Sequence, residues 1–428
     1  MRITVVGAGV VGVATAYFLG LEGHKVIVVD EAVGPATLAS AANAGFLAPN
    51  DSFAWAAPSA PKELVRSVLG AEDTGLRIKL SLDPAMLTWG LQFLRECTSS
   101  RAKDNSIAQL TLAKYSQQVQ QELESSEGLG YHVRREGSFY LFRDAGALQA
   151  ATRNRAVFAD HGVQQQVLDM GEIIALEPAL EQARGIFAGG IYGIGDAVGD
   201  SFGFCQEIVE ITRSRFGATY VFGTPVSDIV VRRGRAVGVR TRSGDIDSDL
   251  VVVAAGVGSR RLLAPLGLRV PILPVKGYSA TFPILDPERV PTRPTVEQTS
   301  LVAWSNLGDR FRMSCSAEMV GFDWSCPDDR IERLRRIGRE VLGDSVDFDA
   351  GAFRACLRPM TPDGPPLLGP SRVPGLFLNT GHGHLGWTWA CGTGRIAADL
   401  VSGKQPALES AQYGARARRW TSTDRKAA

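Results

Sequence analysis

Apolar and polar positions alternate in a way that predicts a strand, a turn, a helix and a second strand at the start of the chain. Ile3-Thr4-Val5-Val6 is a short apolar run stopped by glycine, as expected of a buried strand. An apolar helix follows to about Gly20, and Val26-Ile27-Val28-Val29 makes the next strand, ending in Asp30-Glu31. Residues 51–80, rich in Pro, Ala and Trp, read as irregular. Met86, Gly90, Phe93 and Cys97 then recur at helical spacing, as do Leu112, Tyr115, Val119 and Leu123. Residues 131–143 alternate like a strand broken by glycine, and a helix is expected around 145–161.

From about Asp200 the pattern predicts a helix over 201–216, a short strand at Tyr220-Val221-Phe222, and a meander with turns at Arg233-Gly234-Arg235 and Ser243-Gly244-Asp245. Leu250-Val251-Val252-Val253 is a fully apolar strand ending in Ala254-Ala255-Gly256. Antiparallel strands are expected at Val275–Phe282, Ser300–Trp304 and Arg310–Ala317, with residues 306–309 as the loop between the last two. A last strand, Leu376-Phe377-Leu378, runs through a glycine-rich turn into a helix ending near Ser402-Gly403. The order is that of an α/β chain, α+β overall: a Rossmann-like nucleotide domain (1–50, 150–266 and 355–428) and a discontinuous substrate domain (51–149 and 267–354) on a mixed, largely antiparallel sheet.

At 428 residues the chain is too long for one small core, which fits two domains. A net charge of +1 gives no electrostatic case for nucleic acid as a partner. Six scattered cysteines, without paired Cys/His spacing, read as reduced thiols and not as a disulfide framework or a metal site. The N-terminus enters a core strand directly, so no cleavable leader is expected, and no apolar run reaches the ~18–20 residues of a membrane span. The expected location is cytoplasmic. The polar tail with Arg416, Arg418 and Arg419 leaves peripheral contact with anionic lipid on the inner face of the cell membrane as an alternative to a solvated end.

The first candidate chemistry is the turn Gly7-Ala8-Gly9-Val10-Val11-Gly12. Gly7 allows the tight turn, Gly9 lets backbone approach a pyrophosphate, and Gly12 lets the helix pack against the strand; the helix N-terminus then faces the phosphates. Asp30, beside Glu31, is placed to accept ribose hydroxyls, and an acid there argues against a 2′-phosphate. Ser40, Ala42, Asn43, Ala44 and Gly45 suit a loop running beside a flat ligand, and Val226, Ala255 and Gly256 are further candidate contacts. Glycine-rich strand ends recur at 254–256, 361–369 and 379–386, far apart in the chain, which favours a long cofactor over NAD.

These blocks, with Pro274-Val275-Lys276-Gly277-Tyr278-Ser279, Leu357-Arg358-Pro359-Met360-Thr361-Pro362-Asp363-Gly364 and Asn379-Thr380-Gly381-His382-Gly383-His384-Leu385-Gly386-Trp387-Thr388, give the resemblance. The chain resembles FAD-dependent D-amino-acid dehydrogenases, within the D-amino-acid oxidase, glycine oxidase and sarcosine oxidase superfamily. The resemblance implies non-covalent FAD and oxidation of a small neutral D-amino or D-imino acid such as D-alanine, D-proline or a hydroxyproline. Hydride would pass from Cα to flavin N5, the imine would hydrolyse, and the electrons would go to a quinone or another carrier. A glycine- or sarcosine-type oxidase using O2, and a flavin subunit of a multi-subunit imino-acid dehydrogenase, are the alternatives.

By the same resemblance Arg358 would hold the substrate carboxylate through two parallel hydrogen bonds. Tyr278 is a second candidate contact, and Lys276 is either near the flavin or solvated. Gly383, Leu385, Gly386, Trp387 and Thr388 stand at the entry to the last helix, where N–H groups stabilise negative charge. His384 is a candidate catalytic group and flavin contact, with His382 beside it. Cys356 sits where some relatives attach flavin covalently, and an inert buried thiol is the plainer expectation. Trp304, Met313, Phe46 and Trp55 are the expected apolar lining of the substrate pocket.

Overall fold

The computed structural model describes residues 1–68, 75–79, 83–408 and 413. Two sheets dominate it. The smaller is six-stranded, in the order Leu367–Pro370, Leu376–Thr380, Leu250–Val253, Arg2–Val6, Lys25–Val29 and Thr219–Val221. Its pairs are parallel except the first, as helix-linked apolar strands require. The helix Val10–Leu21 is buried along nearly its whole length because helices Ser201–Phe216 and Gly386–Val401 both pack on it. The predicted nucleotide unit is therefore present, strand by strand.

The second sheet has nine strands and is mixed but largely antiparallel, as expected. Ala352–Met360, Leu273–Pro283, Arg310–Met319 and Val302–Asn306 form its antiparallel half. Thr295–Glu297 pairs parallel to Ser138–Phe142, and Gly189–Ile194 and Gln164–Leu168 complete the far edge. These last two strands fall in the segment expected to have returned to the nucleotide unit at residue 150. One face of the sheet carries Tyr278, Phe282, Trp304 and Met313 into a core with Leu334, Ile337 and Val341 of helix Asp328–Leu342. Because side chains alternate along a strand, Ala303, Ser314, Ser316 and Arg358 are left on the opposite face.

Two local expectations are corrected. The segment 51–80 is not wholly irregular: it holds a helix, Ala60–Val68, and a short strand, Leu76–Ile78, that joins the larger sheet beside Arg310–Met319. Pro61 lies in the first turn of that helix, where its missing N–H costs nothing. The expected strand over 131–143 shrinks to Ser138–Phe142, with a single bridge from Arg134 to Val198 before it. The tail arginines lie outside the described residues. Among the described residues, no helix is long and apolar enough to cross a membrane.

Candidate active site

A cavity of about 1710 Å³ runs from the strand ends of the smaller sheet to the polar face of the larger one. At one end it is lined by Gly7, Gly9, Val10, Val11, Asp30 and Glu31. Gly7 has φ +110°, and a Cβ there would lie 2.5 Å from the Ala254 carbonyl oxygen, so the turn demands glycine on both counts. The first helix has no acidic residue in its first turn, which leaves its positive end open to an anion. Asp30 is fixed by the N–H groups of Ala8 (2.5 Å) and Ala32 (2.7 Å), one to each carboxylate oxygen, with lone pairs left over for hydroxyl donors.

The middle of the cavity is lined by Ser40, Ala42, Asn43 and Ala44 on one side and Val226, Ala255 and Gly256 on another. The loop is tied down from within: the Asn43 amide donates to Ser40 O (2.7 Å) and Ser201 Oγ (2.6 Å), and its Oδ1 accepts from Gly45 N (2.7 Å). It is also tied to the larger sheet by a residue the sequence did not reveal. Arg312 Nη1 donates to the carbonyls of Ala41 (2.6 Å) and Asn43 (3.0 Å), and burial lowers its pKa to about 10. Ser305 adds a bond to Ala44 O at 2.5 Å. Asn379, which also lines the cavity, has its Oδ1 buried without a partner, an acceptor site left for a ligand donor. A glycine cradle, an open helix N-terminus, an anchored acid and a long cleft together fit a dinucleotide as long as FAD.

At the far end lie Arg358, Gly383, His384, Gly386 and Trp387, with Phe46, Trp55 and the free thiol Cys356. Arg358 crosses the neighbouring strand over Gly277, where a Cβ would come within 2.5 Å of Nη1. Its Nη1 donates to Ser316 O at 2.8 Å, and among the described residues no carboxylate lies within ion-pair distance of it. Gly277→Ala is expected to push the guanidinium aside and lower kcat/KM about tenfold, through kcat as well as KM, while leaving bound flavin nearly unchanged, because orientation of the ligand is lost. Steady-state kinetics with the holoenzyme check this, and an unchanged kcat/KM contradicts it.

His384 is half-buried, with its ring 4.9 Å from that of Trp55. Burial and the nearby Arg358 charge hold its pKa down at about 3, so it is a neutral ring at working pH. His382 is buried, bonded to Thr393 Oγ1 at 3.0 Å, and also held near 3 by burial.

The structure does not bring several expected residues to this cavity. Tyr278 points to the opposite face of the sheet, where its hydroxyl donates to Glu318 Oε2 at 2.8 Å; burial and that carboxylate push its pKa well up. Lys276 is not solvated and does not itself line the cavity, although its cross-strand partner Leu357 does: it is fully buried and paired with Asp323 at 2.7 Å. Trp304 and Met313 share the Tyr278 face and belong to the core. Gly12, Gly45, Leu385 and Thr388 stand just behind the lining. Thr388 Oγ1 accepts from Ala48 N at 3.3 Å, and Leu385 caps the last helix. Phe46 and Trp55 do line the cavity, with Phe53 and Phe93, and among these apolar side chains stand Asp51, Arg155 and Gln298, none of them singled out by the sequence pattern. Among the described residues no group of side chains could hold a metal ion.

A nucleotide cleft that opens into a mixed chamber with Arg358 on its wall defines a dinucleotide-dependent enzyme. The family described as DAO, FAD dependent oxidoreductase, matches residues 2–400, and the chain belongs to that family of FAD-dependent oxidoreductases. D-amino acid dehydrogenase of Cereibacter sphaeroides is 41% identical over 427 residues, covering 100% of this chain and 97% of the relative. D-amino acid dehydrogenase 2 of Mesorhizobium japonicum is 37% identical over 409 residues, covering 96% of this chain and 98% of the relative. Among solved structures, glycine oxidase from Bacillus cereus superposes with a TM-score of 0.72 at 19% identity, covering 96% of this chain and 97% of that one. L-proline dehydrogenase from P. horikoshii also gives 0.72, at 16% identity, with 98% and 97% covered; at such identities the likeness is one of fold.

Proposed function

We propose that this enzyme oxidises a small D-amino or D-imino acid, with D-alanine, D-proline and D-hydroxyproline-like acids as the candidates, and passes the electrons to a quinone or another carrier. The observation that carries the reading is Arg358: a guanidinium on the chamber wall with no carboxylate partner among the described residues, at the end of a cleft that fits FAD. A planar donor pair of this kind matches a substrate carboxylate. The names of the full-length relatives support the D-amino-acid class.

FAD, when bound, supplies the acceptor for the hydride of the substrate Cα, so the protein needs to bind and orient more than to react. In this reading Gly7–Gly12, Asp30 and the 40–45 loop hold the nucleotide and ring, and Arg358 sets Cα. The turn at Gly383–Gly386, ahead of the last helix, offers N–H groups to negative charge on the ring. His384 and Trp55 close the chamber. FAD is held without a covalent link, and Cys356 remains a free buried thiol. The smaller sheet then serves the cofactor and the larger one the substrate.

Mixing the holoenzyme anaerobically with paired D- and L-acids tests this. Bleaching of the flavin by D-alanine or a D-proline, and not by the L-forms, is the expected result. Turnover with an artificial dye should exceed turnover with air; rapid peroxide formation would instead make the protein an oxidase.

A further inference from the structure

The substrate chamber contains two opposite charges that have no ion-pair partner within 4 Å among the described residues. One is Arg358. The other is Asp51, the last residue of the turn Pro49–Asp51, whose backbone N–H bonds Ala48 O at 3.1 Å. Its carboxylate borders the same cavity and accepts no hydrogen bond from any described residue. His384 stands by both, near enough to Arg358 for that charge to disfavour protonation of the ring and near enough to the Asp51 backbone for that group to favour it.

The position of Asp51 is built and not incidental. The preceding residue, Asn50, donates from N (3.1 Å) and Nδ2 (2.9 Å) to the fully buried Asp196, which also accepts from Ser138 Oγ (2.5 Å) and Tyr140 OH (2.9 Å). Arg155 donates to Asn50 O at 2.9 Å while lying 4.1 Å from the Tyr140 ring centre and 4.9 Å from that of Phe53. A buried acid, a buried arginine and two rings thus hold one turn, and that turn presents a bare carboxylate.

Opposite charges kept partly out of water without close ion-pair partners are costly, and a ligand carrying both complements relieves both. An amino acid is such a ligand. We propose that Asp51 receives the substrate's ammonium, across the chamber from Arg358 and its carboxylate, and takes the ammonium proton as the substrate is oxidised. The proposal rests on the amino-acid reading above and adds the group that handles the amine. An N–H bond breaks and an O–H bond forms on the Asp51 carboxylate. The freed electron pair stays on nitrogen, where it is needed to make the C=N bond. A protonated nitrogen has no pair to donate, so this proton must leave before or as the hydride leaves Cα for the acceptor that FAD supplies; the iminium then keeps the single positive charge the ammonium had.

The charged and titrating groups that face Asp51 are Arg155 at the end of helix Ala145–Arg155, Asp196 from the turn after Gly189–Ile194, and His384 with Arg358 behind it. Burial raises the Asp51 pKa to about 6, Arg155 opposes the rise, and Asp196 adds to it. A base must be deprotonated in the free enzyme, so kcat/KM is low on the acid side and rises through pH about 6.

The test is Asp51→Asn in the FAD-loaded enzyme, with D-alanine, D-proline and a D-hydroxyproline as substrates, followed from about pH 5 to about pH 9. The expected result is a loss of about 100-fold in the plateau of kcat/KM and disappearance of the acid limb. Binding of pyrrole-2-carboxylate, which offers a carboxylate but no ammonium, is read from the flavin absorbance and should be unchanged. A variant within about twofold of wild type, or one that keeps the acid limb, overturns the proposal. So does equal weakening of pyrrole-2-carboxylate, which would make Asp51 a structural residue. A loss confined to hydroxylated substrates would assign the carboxylate to a side-chain hydroxyl and also overturn it. If no D-acid bleaches the wild-type flavin, it is the underlying function that fails, before the variant is made.

Discussion

Arg358→Met is expected to lower kcat/KM for a D-amino acid by about a thousandfold, equivalent to about 4 kcal/mol, with FAD still bound. The loss has two sources. The substrate carboxylate enters a chamber partly closed to water, so without the guanidinium it is a desolvated anion with no partner. It also loses the two-point contact that points Cα at the cofactor, which affects kcat as well as KM. Arg358→Lys separates these. Lysine restores a charge but not the planar fork, so a loss of about 10- to 100-fold is expected, mainly from orientation. The measurements are steady-state kinetics with a dye acceptor and the flavin absorbance of each purified variant. Arg358→Met with kcat/KM within about twofold of wild type would remove the basis of the functional reading.

Features carried by neighbouring residues were legible in the sequence. The unit from Ile3 to Asp30 could be read because glycine spacing, strand and acid all lie within one short segment. Which face of the larger sheet borders the cavity could not. The period of two puts Trp304 and Met313 on one face, and they are indeed cross-strand partners, but nothing local says whether that face meets a core helix or a cofactor. The same ambiguity misplaced Tyr278, one residue from Gly277 and on the wrong side of it. Asp51 and Arg312 were hidden for a different reason. Asp51 lies where no periodicity exists, and its position depends on an acid at residue 196. Arg312 has an ordinary place in a strand, and only the folded loop gives its guanidinium two carbonyls to bind. Long-range bonds made by common residues leave no mark in a single sequence.

The second large effect is expected at Gly12, and its sign is opposite to what helix propensity predicts. Gly12 lies within the helix Val10–Leu21, where alanine is ordinarily better than glycine by about 1 kcal/mol. Here a Cβ would stand 1.9 Å from the Gly7 carbonyl oxygen and 2.9 Å from its carbon. Both are backbone atoms of the turn itself, so no side chain can rotate away to make room. Relief requires the helix to lift from the turn, which moves its N-terminal N–H groups off the phosphates as well as straining the core. Overpacking of this kind costs about 1–3 kcal/mol. Gly12→Ala should therefore be isolated largely free of FAD and should melt below wild type, with added FAD restoring little of the difference. Gly90→Ala is the matching control: Gly90 also sits in a helix, Pro84–Glu96, but nothing lies within 4 Å of its added Cβ. There the same change should stabilise the protein by up to about 1 kcal/mol and leave flavin content alone. Thermal melts and flavin-to-protein absorbance ratios decide the matter. A Gly12→Ala protein as yellow and as stable as the Gly90→Ala one would show that the turn does not need its third glycine.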